Sequence, residues 1–347
     1  MEEAAHLKKP GPWLFHDHHV ILDTRSPAEF EKGHITGAIS FPLFENDERA
    51  TIGTLYKQQG KQAAVSLGLE FVGPKMAQLV EQARKLFEDQ QVRRPLVIHC
   101  WRGGMRSGSV AWLLETAGID VIKLEGGYKA YREWARTDFA SILDLRILGG
   151  MTGVGKTKIL KAMRNLGAQT IDLEGLAGHL GSAFGNLERT PQPTSEQFGN
   201  DCHRQLAALN GKQPIWMENE SRTIGKVHQP ESLFNALRIA PVWAVGRTIE
   251  ERVEELCQVY GEADLNALKA AFGRIREKLG GLKWQEAMDA LERSDLQTAA
   301  AIGLLYYDKL YRHTKKRYPR AKYIEVDCAG LDFEDAAKLV LKSSSRH

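Results

Sequence analysis

One short stretch, GMTGVGKT at residues 150–157, restricts the fold of this 347-residue chain more than any other. It follows the apolar run LRIL and leads into the helix-like segment KILKAMRNLG. Every fixed position of the phosphate-binding P-loop pattern, G-x-x-x-x-G-K-[ST], is present in the strand–loop–helix context that this pattern requires. Backbone N–H groups can wrap a phosphate there, Lys156 adds a positive charge, and Thr157 can ligate Mg²⁺ or a phosphate oxygen. The sequence therefore predicts an α/β domain with a phosphorylated ligand.

A second loop, HCWRGGMRSGS at residues 99–109, follows another apolar run. Cys100 ends that run and Ser107 opens a helix, so a curled loop would aim several N–H groups at one point. Such a loop favours anions and lowers the pKa of a thiol, which predicts Cys100 as a thiolate nucleophile. The spacing HC-x5-R-S is typical of cysteine phosphatases, and it is also a permitted variant of the rhodanese loop, whose cysteine carries sulfur or selenium. The loop alone leaves both chemistries open.

The sequence around Cys100 favours the rhodanese fold. ILDTRSPAEFEKGHITGAISFPL at residues 21–43 resembles the N-terminal signature of rhodaneses, and LEGGYKAYREW at residues 124–134 resembles their closing element. We therefore expect a rhodanese-like fold in which Asp23 and Arg25 brace the loop. The loop is longer than in most rhodaneses, which leaves room for a tetrahedral anion such as phosphate, thiophosphate or selenophosphate.

Short apolar runs alternate with helix-period segments along the whole chain, a pattern typical of α/β proteins. The length favours two domains. We predict a rhodanese-like domain over residues 1–140 and a P-loop NTPase-like domain over residues 141–347. The second domain should contain a doubly wound parallel sheet with a helical block at residues 248–316.

Composition disfavours several classes of protein. No apolar run approaches the ~18 residues that span a bilayer, and the start, MEEAAHLKKPGPW, has no signal-peptide core. We therefore expect a cytoplasmic protein that does not contact membranes. The four cysteines form no C-x-x-C pair, which disfavours zinc ribbons, and we predict no metal site built from protein ligands alone. A net charge of +3 is too small to indicate general nucleic-acid binding, so any RNA contact requires a local patch.

Polar residues in two further segments could complete a site at the P-loop. The segment DLEGLAGHLGSAFG, at residues 172–185, would lie near the loop in a doubly wound sheet, and PIWMENES offers acids where a Walker-B residue is expected. The candidates are Asp172, Glu174, His179, Ser182, Glu218 and Glu220. Helix capping and surface polarity explain these residues equally well. No adenine-reading element is evident, and the group attached to a bound diphosphate need not be a nucleoside.

A basic, tyrosine-rich segment, KLYRHTKKRYPRAKY at residues 309–323, provides the one candidate nucleic-acid surface. Basic side chains interleaved with aromatic ones suit phosphate contact and base stacking. The candidate contacts are Lys315, Lys316, Arg317 and Arg320. The solvated end of a helix is the competing explanation.

With HCWRGGMRSGS, GGMTGVGKT, DLEG, HLGSAFG and MENES in one chain, the sequence resembles the bacterial tRNA 2-selenouridine synthase family over nearly its whole length. The resemblance implies an enzyme that acts on the wobble 2-thiouridine in the anticodon loop of certain tRNAs. It implies S-geranylation from geranyl diphosphate, and then exchange of the geranylated sulfur for selenium from selenophosphate. Both donors are co-substrates, no cofactor is expected to be tightly bound, Mg²⁺ is a candidate requirement, and a selenophosphate-producing enzyme is a candidate partner.

The resemblance also implies residue roles. Cys100 would be the catalytic nucleophile that takes the selenium and leaves the phosphate behind. Selenophosphate would be bound, mainly through backbone N–H groups, by Arg102, Gly103, Gly104, Met105, Arg106 and Ser107. The diphosphate would be bound by Gly150, Thr152, Gly153, Val154, Gly155, Lys156 and Thr157. Two positions depart from the family pattern, since Leu180 replaces an expected arginine and Gly199 an expected acid.

Two alternatives belong to other functional classes. One is a rhodanese-like cysteine phosphatase or sulfurtransferase fused to a P-loop NTPase, although the sequence offers no positioned general-acid aspartate near the Cys100 loop. The other is a non-catalytic module that binds tRNA or nucleotide through a relic rhodanese domain. The intact Cys100 and Lys156 disfavour that second alternative.

Overall fold

The structure is a computed structural model that divides into two compact units. It describes residues 6–89, 94–179, 191–261, 263–317 and 322–345, with the backbone alone at 313–317. The first unit comprises Met1–Asp138 together with Gly199–Ala208, and the second comprises Phe139–Phe198 and Leu209–His347. No pattern in the sequence indicated that residues 199–208 belong to the first unit.

A five-stranded, all-parallel sheet forms the centre of the first unit. Its strands are β1 (His6–Lys8), β2 (Ile21–Asp23), β3 (Ile39–Ser40), β4 (Leu96–His99) and β5 (Val121–Leu124), in the order β1-β5-β4-β2-β3. Alternate residues of β4 enter different cores, since Leu96 and Ile98 pack on one face and Val97 on the other. A parallel sheet covered on both faces needs such continuous apolar strands.

The helices of this unit include one that the sequence did not predict. They are α1 (Trp13–His16), α2 (Pro27–Lys32), α3 (Asn46–Val72), α4 (Met76–Glu88), α5 (Met105–Thr116) and α6 (Gly127–Ala140), with a 3₁₀ turn at Gly73–Lys75. The unpredicted helix, α3, buries only Ala64 and Gly68 along its length. It is interrupted at Gly60, where φ is 86°. Without a continuous apolar face, its sequence carries little of the periodicity from which helices are predicted.

The second unit contains another five-stranded parallel sheet. Its strands are β6 (Leu145–Gly150), β7 (Gln169–Ile171), β8 (Ile215–Glu218), β11 (Val242–Gly246) and β12 (Tyr323–Asp327), in the order β12-β11-β6-β8-β7. A separate antiparallel pair consists of β9 (Thr223–Ile224) and β10 (Val227–His228). Strand order reverses at β6, which confirms the predicted doubly wound sheet and places a topological switch point at the end of that strand.

Helices of the second unit fall into two groups. Those near the sheet are α7 (Lys156–Asn165), α8 (Leu173–Ala177), the start of α9 (Ser195–Ala207), α10 (Glu231–Ile239) and α15 (Phe333–Ser344). The helical block consists of α11 (Ile249–Tyr260), α12 (Leu265–Leu279), α13 (Gly281–Glu292) and α14 (Leu296–Arg317), where the sequence predicted it. The block has its own apolar core, which includes Phe272, Ile275 and Leu291. Across the described ranges, we find no helix long and apolar enough to cross a membrane.

Candidate functional site

The Cys100 loop joins β4 to α5, as the sequence predicted. Cys100 follows the strand directly and is buried, with 3% of its surface exposed. Its sulfur accepts a hydrogen bond from the Ser107 hydroxyl at 3.2 Å, and Ser107 is fully buried in the first turn of α5. The loop thus holds the thiol at the N-terminus of a twelve-residue helix, where free N–H groups favour a negative charge.

The surroundings of Cys100 favour the thiolate form of its side chain. Burial would raise the pKa, but the Ser107 hydroxyl, the N–H groups of Ser107 and Arg102, and the charge of Arg106 outweigh burial, so the pKa is lowered from its ordinary value. These donors stabilise the thiolate more than they stabilise the neutral thiol. A thiolate is the nucleophilic form of cysteine, so the geometry supports the predicted reactivity.

Glycine is required where this loop meets the start of α6. Gly103 has a φ of 65°, and a Cβ there would lie 2.8 Å from the Leu124 carbonyl oxygen. A Cβ on Gly127 would lie 2.3 Å from the carbonyl oxygen of Cys100. The same carbonyl accepts a hydrogen bond from the N–H of Tyr128 at 2.9 Å. The loop and the GG pair of the closing element therefore pack backbone against backbone, which fixes the curl that the sequence predicted.

The charged and exposed residues of the loop divide into two groups. Arg106 is held by Glu29, whose Oε2 lies 2.6 Å from Nη1; burial would raise the pKa of Glu29, but the hydrogen bond and charge of Arg106 outweigh it, so the pKa is lowered. Glu29 also accepts from the Ser26 N–H in the capping box of α2. The remaining predicted anion contacts, Arg102, Gly104 and Met105, are exposed at the rim of the loop. The loop thus presents its backbone N–H groups to an anion, whereas the Arg106 guanidinium pairs with the carboxylate of Glu29.

A buried ion pair lies under the loop. Arg25 donates to Asp23 through Nε at 3.0 Å and Nη2 at 2.6 Å, and both side chains are almost completely buried. The Arg25 guanidinium also lies 3.9 Å from the ring centre of Tyr128 and donates to the carbonyl oxygen of Gly33 at 2.7 Å. Burial holds the pKa of the adjacent His99 below its ordinary value. This arrangement matches the bracing role predicted for Asp23 and Arg25.

Asn200 contributes a support that the sequence did not reveal. This residue of α9 is fully buried in the first unit. Its Nδ2 donates to the Tyr128 hydroxyl at 2.7 Å and to the His34 carbonyl oxygen at 2.6 Å, while its Oδ1 accepts from Arg132. Tyr128 is thereby fixed at its ring by Arg25, at its hydroxyl by Asn200 and at its N–H by Cys100. Asn200 acts on the loop through Tyr128, over a sequence separation that no local pattern signals.

The P-loop lies between β6 and α7, at the switch point of the second sheet. Gly153 and Gly155 have φ angles of 84° and 76°, and a Cβ on Gly153 would lie 2.8 Å from the Arg252 carbonyl oxygen. The buried Arg252 donates through Nε to the Thr152 carbonyl oxygen at 2.8 Å and pairs with Asp308 of α14. The helical block therefore supports the P-loop directly, a contribution that the sequence did not indicate.

Two carboxylates and a lysine meet at the P-loop. Lys156 Nζ lies 4.0 Å from Glu220 Oε1, and Thr157 donates to Glu174 Oε2 at 3.1 Å. Burial and the neighbouring Glu174 carboxylate raise the pKa of Glu220 to about 8. Burial would lower the pKa of Lys156, but Glu174 and Glu220 outweigh it, so its pKa is raised. The sequence correctly indicated that Glu174 and Glu220 belong near the loop.

The other predicted polar residues of this site have different surroundings. Glu218 is fully buried, where its Oε2 accepts from the Leu173 N–H at 2.8 Å, and burial raises its pKa well above the ordinary value. Asp172 caps α8 by accepting from the Gly175 N–H at 2.7 Å. His179 is buried next to Gly225, and burial lowers its pKa. Ser182, like Leu180, lies outside the described residues.

The P-loop forms one wall of a cleft of about 470 Å³. Every residue of the loop except Met151 lines it, together with Glu174 and Glu220. The remaining lining is apolar or aromatic at Phe234, Leu256, Val259, Tyr260, Tyr307, Leu310 and Tyr311, and polar or charged at Asn219, Ser221, Arg222 and Glu255. Among the described residues, no group of three or more His, Cys, Asp and Glu side chains is placed to hold a metal ion.

The predicted nucleic-acid surface lies almost entirely beyond what the structure describes. Lys315, Lys316 and Arg317 belong to the end of α14, but their side chains lie outside the described part of the chain, as does all of Arg320. Of the tyrosines nearby, Tyr306 and Tyr307 pack against the core of the helical block. The proposed tRNA contacts therefore stay predictions.

Comparison with known proteins assigns both parts of the chain. Residues 12–133 match the family model of the rhodanese-like domain, and residues 143–329 match that of the tRNA 2-selenouridine synthase AAA domain. A curated tRNA 2-selenouridine synthase from Bdellovibrio bacteriovorus is 38% identical, over 92% of this chain and 94% of that protein. Those from Cronobacter sakazakii and Pseudomonas syringae pv. syringae are 36% and 33% identical, over 88% and 94% of this chain and 91% and 95% of those proteins. The chain belongs to the tRNA 2-selenouridine synthase family.

Membership of the tRNA 2-selenouridine synthase family confirms the resemblance inferred from the motifs, the fold class and the prediction of an enzyme. The two matched ranges contain the Cys100 loop and the P-loop respectively, so both candidate sites lie within the family's domains. Glu29, Tyr128, Asn200 and Arg252 are the supporting residues that the sequence reasoning missed. Of these, Glu29 and Tyr128 carried a signal, because they belong to the two rhodanese elements quoted for the resemblance, at residues 21–43 and 124–134.

Proposed function

We propose that this protein converts the wobble 2-thiouridine of tRNA into 2-selenouridine in two chemical steps, one at each loop. The proposal rests chiefly on one observation, a stabilised thiolate at Cys100 in a chain of this family that also carries a P-loop cleft with an apolar wall. The curated relatives carry the name of the overall reaction. The two donors, geranyl diphosphate and selenophosphate, are our proposal for this chain.

In the first step, the P-loop holds the diphosphate of geranyl diphosphate. The sulfur of 2-thiouridine attacks C1 of the geranyl group, the C1–O bond breaks, diphosphate leaves, and the base loses its N3 proton. Lys156 and the loop N–H groups stabilise the negative charge that develops on the leaving diphosphate. The resulting thioether sulfur is a better leaving group than the original thiocarbonyl sulfur.

Mg²⁺ fits the chemistry of the cleft. A diphosphate bound beside Glu174 and Glu220 places like charges together, and the pKa of Glu220 is already raised by burial and by the charge of Glu174. Thr157, Glu174 and Glu220 supply the hard oxygen ligands that Mg²⁺ prefers, and Mg²⁺ usually completes its coordination with phosphate oxygens. We propose that these three residues hold Mg²⁺ together with the diphosphate, where the ion would offset the charge of both.

In the second step, selenium replaces the geranylated sulfur, and an electron count reverses the role expected for Cys100 from the resemblance, in which the thiolate takes the selenium and leaves the phosphate behind. Selenium in selenophosphate is already fully reduced, so a thiolate that accepted it would require an oxidant. Attack at phosphorus balances instead: the Cys100 S–P bond forms, the P–Se bond breaks, and selenium leaves with the electron pair as selenide. Selenide then attacks C2 of the base and geranylthiol departs with a proton. Water hydrolyses the S–P bond to give phosphate and regenerate Cys100.

The loop around Cys100 suits attack at phosphorus. Its N–H groups converge on the thiolate, where they can also bind the oxygens of a tetrahedral phosphoryl group. This explains why the loop has the spacing of a cysteine phosphatase in a chain that does not belong to a phosphatase family. We propose Arg102, Gly103, Gly104, Met105 and Ser107 as N–H donors, with Arg106 held in place by Glu29.

Omission of each donor tests this function. The wild-type protein is incubated with an RNA that carries 2-thiouridine, and the nucleosides are identified by mass spectrometry. We expect S-geranyl-2-thiouridine with geranyl diphosphate alone, no change with selenophosphate alone, and 2-selenouridine with both. Formation of 2-selenouridine without geranyl diphosphate would contradict the two-step order. A requirement for ATP instead of geranyl diphosphate would mean that the P-loop binds a nucleotide.

A further inference from the structure

An apolar pocket opens beside the P-loop cleft, within the helical block. Its volume is about 50 Å³, and its walls come from α11, α12, α13 and α14. Phe272, Leu291 and Gly303 lie around it, and all three are buried. Thr152, Leu256 and Tyr307 line both this pocket and the P-loop cleft. The pocket and the cleft thus adjoin at a residue of the P-loop, and Tyr260 also lines both.

The lining determines which ligand could enter. Apart from Thr152, Cys257 and the two tyrosines, the pocket is lined by hydrocarbon side chains and a glycine. The volume is smaller than the roughly 150 Å³ cavity that holds a benzene ring, so an aromatic base does not fit. A pocket of this size admits only the terminal carbons of a narrow hydrocarbon chain, which gain free energy by leaving water. Thr152 of the phosphate-binding motif lines both spaces, so a ligand that occupies both would carry a phosphate and a hydrocarbon group.

We propose that this pocket receives the far end of the hydrocarbon chain of an allylic diphosphate whose diphosphate is held by the P-loop. The chain leaves the loop at Thr152, lies along Leu256 and Tyr307, and ends against Phe272 and Leu291. The pocket therefore sets the chain length that the enzyme accepts. This inference rests on the proposed function and adds the residues that select the donor.

Two pocket-filling variants with a matched control test the inference. Ala300→Leu adds three carbons to the pocket wall, and Gly303→Ala adds one methyl group whose Cβ would lie 3.5 Å from Phe272 Cζ, an ordinary contact. Gln297→Leu introduces a leucine at an exposed position of the same helix and serves as the control. The probes are geranyl S-thiolodiphosphate, an unreactive analogue, and inorganic diphosphate, which needs only the P-loop. Calorimetric titration gives both dissociation constants.

We expect Ala300→Leu to weaken binding of the geranyl analogue by about tenfold or more, with a smaller loss for Gly303→Ala. Binding of inorganic diphosphate should stay within twofold for both variants, and Gln297→Leu should leave both probes unchanged. A simple packing defect would behave differently, because filling it would raise the melting temperature without changing either dissociation constant. That result, or equal weakening of both probes, would overturn the pocket assignment.

The same titrations separate this inference from the proposed function. If wild-type protein binds the geranyl analogue no more tightly than inorganic diphosphate, the prenyl donor itself is wrong, and the pocket assignment fails with it. If wild-type protein prefers the geranyl analogue and Ala300→Leu retains that preference, the donor stands and only the pocket assignment fails. A melting curve of each variant shows that it is folded before titration.

Discussion

The chemistry of Cys100 is controlled by its immediate contacts, and these were largely readable from sequence. A cysteine at the end of an apolar strand, followed by glycines and a helix, predicts an anion-stabilising loop because only neighbouring residues build it. Lys156 and Thr157 were predictable for the same reason, because neighbouring residues also build the P-loop. The supporting contacts of Glu29, Asn200 and Arg252 were not predictable, because each joins residues far apart in the sequence, and Asn200 reaches its loop only through Tyr128. A lone charged or amide residue in a helix gives no sign of its distant partner.

At this scale we predict that Ser107→Ala shifts the pH dependence of the selenium step. The Ser107 hydroxyl donates to the Cys100 sulfur and helps to lower the pKa of the thiol, so its removal raises that pKa. A hydrogen bond to a charged group contributes about 1.5–3 kcal/mol, and its loss favours the neutral thiol over the thiolate. Because the thiolate is the reactive form, the rate rises with pH, and the inflection of the rate profile should move to higher pH.

The measurement is the rate of 2-selenouridine formation from pre-geranylated RNA as a function of pH. Ser107→Ala should be slower below the wild-type inflection and should approach the wild-type rate at high pH. Ser109→Ala, an exposed serine of the same helix, is the matched control and should retain the wild-type profile. A uniformly slower Ser107→Ala enzyme with an unmoved inflection would mean that Ser107 does not tune the thiol.

At the scale of elements, strands were predicted better than helices. The buried parallel strands β4, β6 and β8 are apolar runs bounded by turn residues, and such runs are explicit in the sequence. Helix α3 lacks an apolar face and bends at Gly60, so periodicity gave no signal for it. The placement of Gly199–Ala208 in the first unit depends on tertiary contacts alone. There His203 contacts Trp134 at 4.4 Å between ring centres and Asp138 at 3.0 Å.

We predict that Asn200→Ala lowers the free energy of unfolding of the first unit by about 2–3 kcal/mol, because it leaves buried polar groups without their partner. The Tyr128 hydroxyl and the His34 carbonyl oxygen each lose a hydrogen bond. Alkylation of Cys100 in increasing urea, followed by mass spectrometry, reports on this unit because the thiol is buried. Gln205→Ala, a half-buried change in the same helix, is the control. Equal midpoints for the two variants would refute a supporting role for Asn200.

At the scale of the whole molecule, one chain combines two anion-binding loops of different construction. The Cys100 loop provides a nucleophile within a ring of N–H groups, whereas the P-loop provides a lysine, a hydroxyl and neighbouring carboxylates. Each loop follows a strand of a parallel sheet and leads into a helix, so both use the same local arrangement for different chemistry. The apolar pocket beside the P-loop was not predictable, because residues from four helices form it.

The central claim is that the two loops perform successive steps, and single substitutions in each loop test it most directly. RNA carrying 2-thiouridine is incubated with both donors, and its nucleosides are quantified by mass spectrometry. Cys100→Ala should accumulate S-geranyl-2-thiouridine and form no 2-selenouridine. Lys156→Ala should slow geranylation by at least about 100-fold, yet still convert RNA that is supplied already geranylated. The claim is contradicted if folded Cys100→Ala protein fails to geranylate, or if Lys156→Ala geranylates at the wild-type rate.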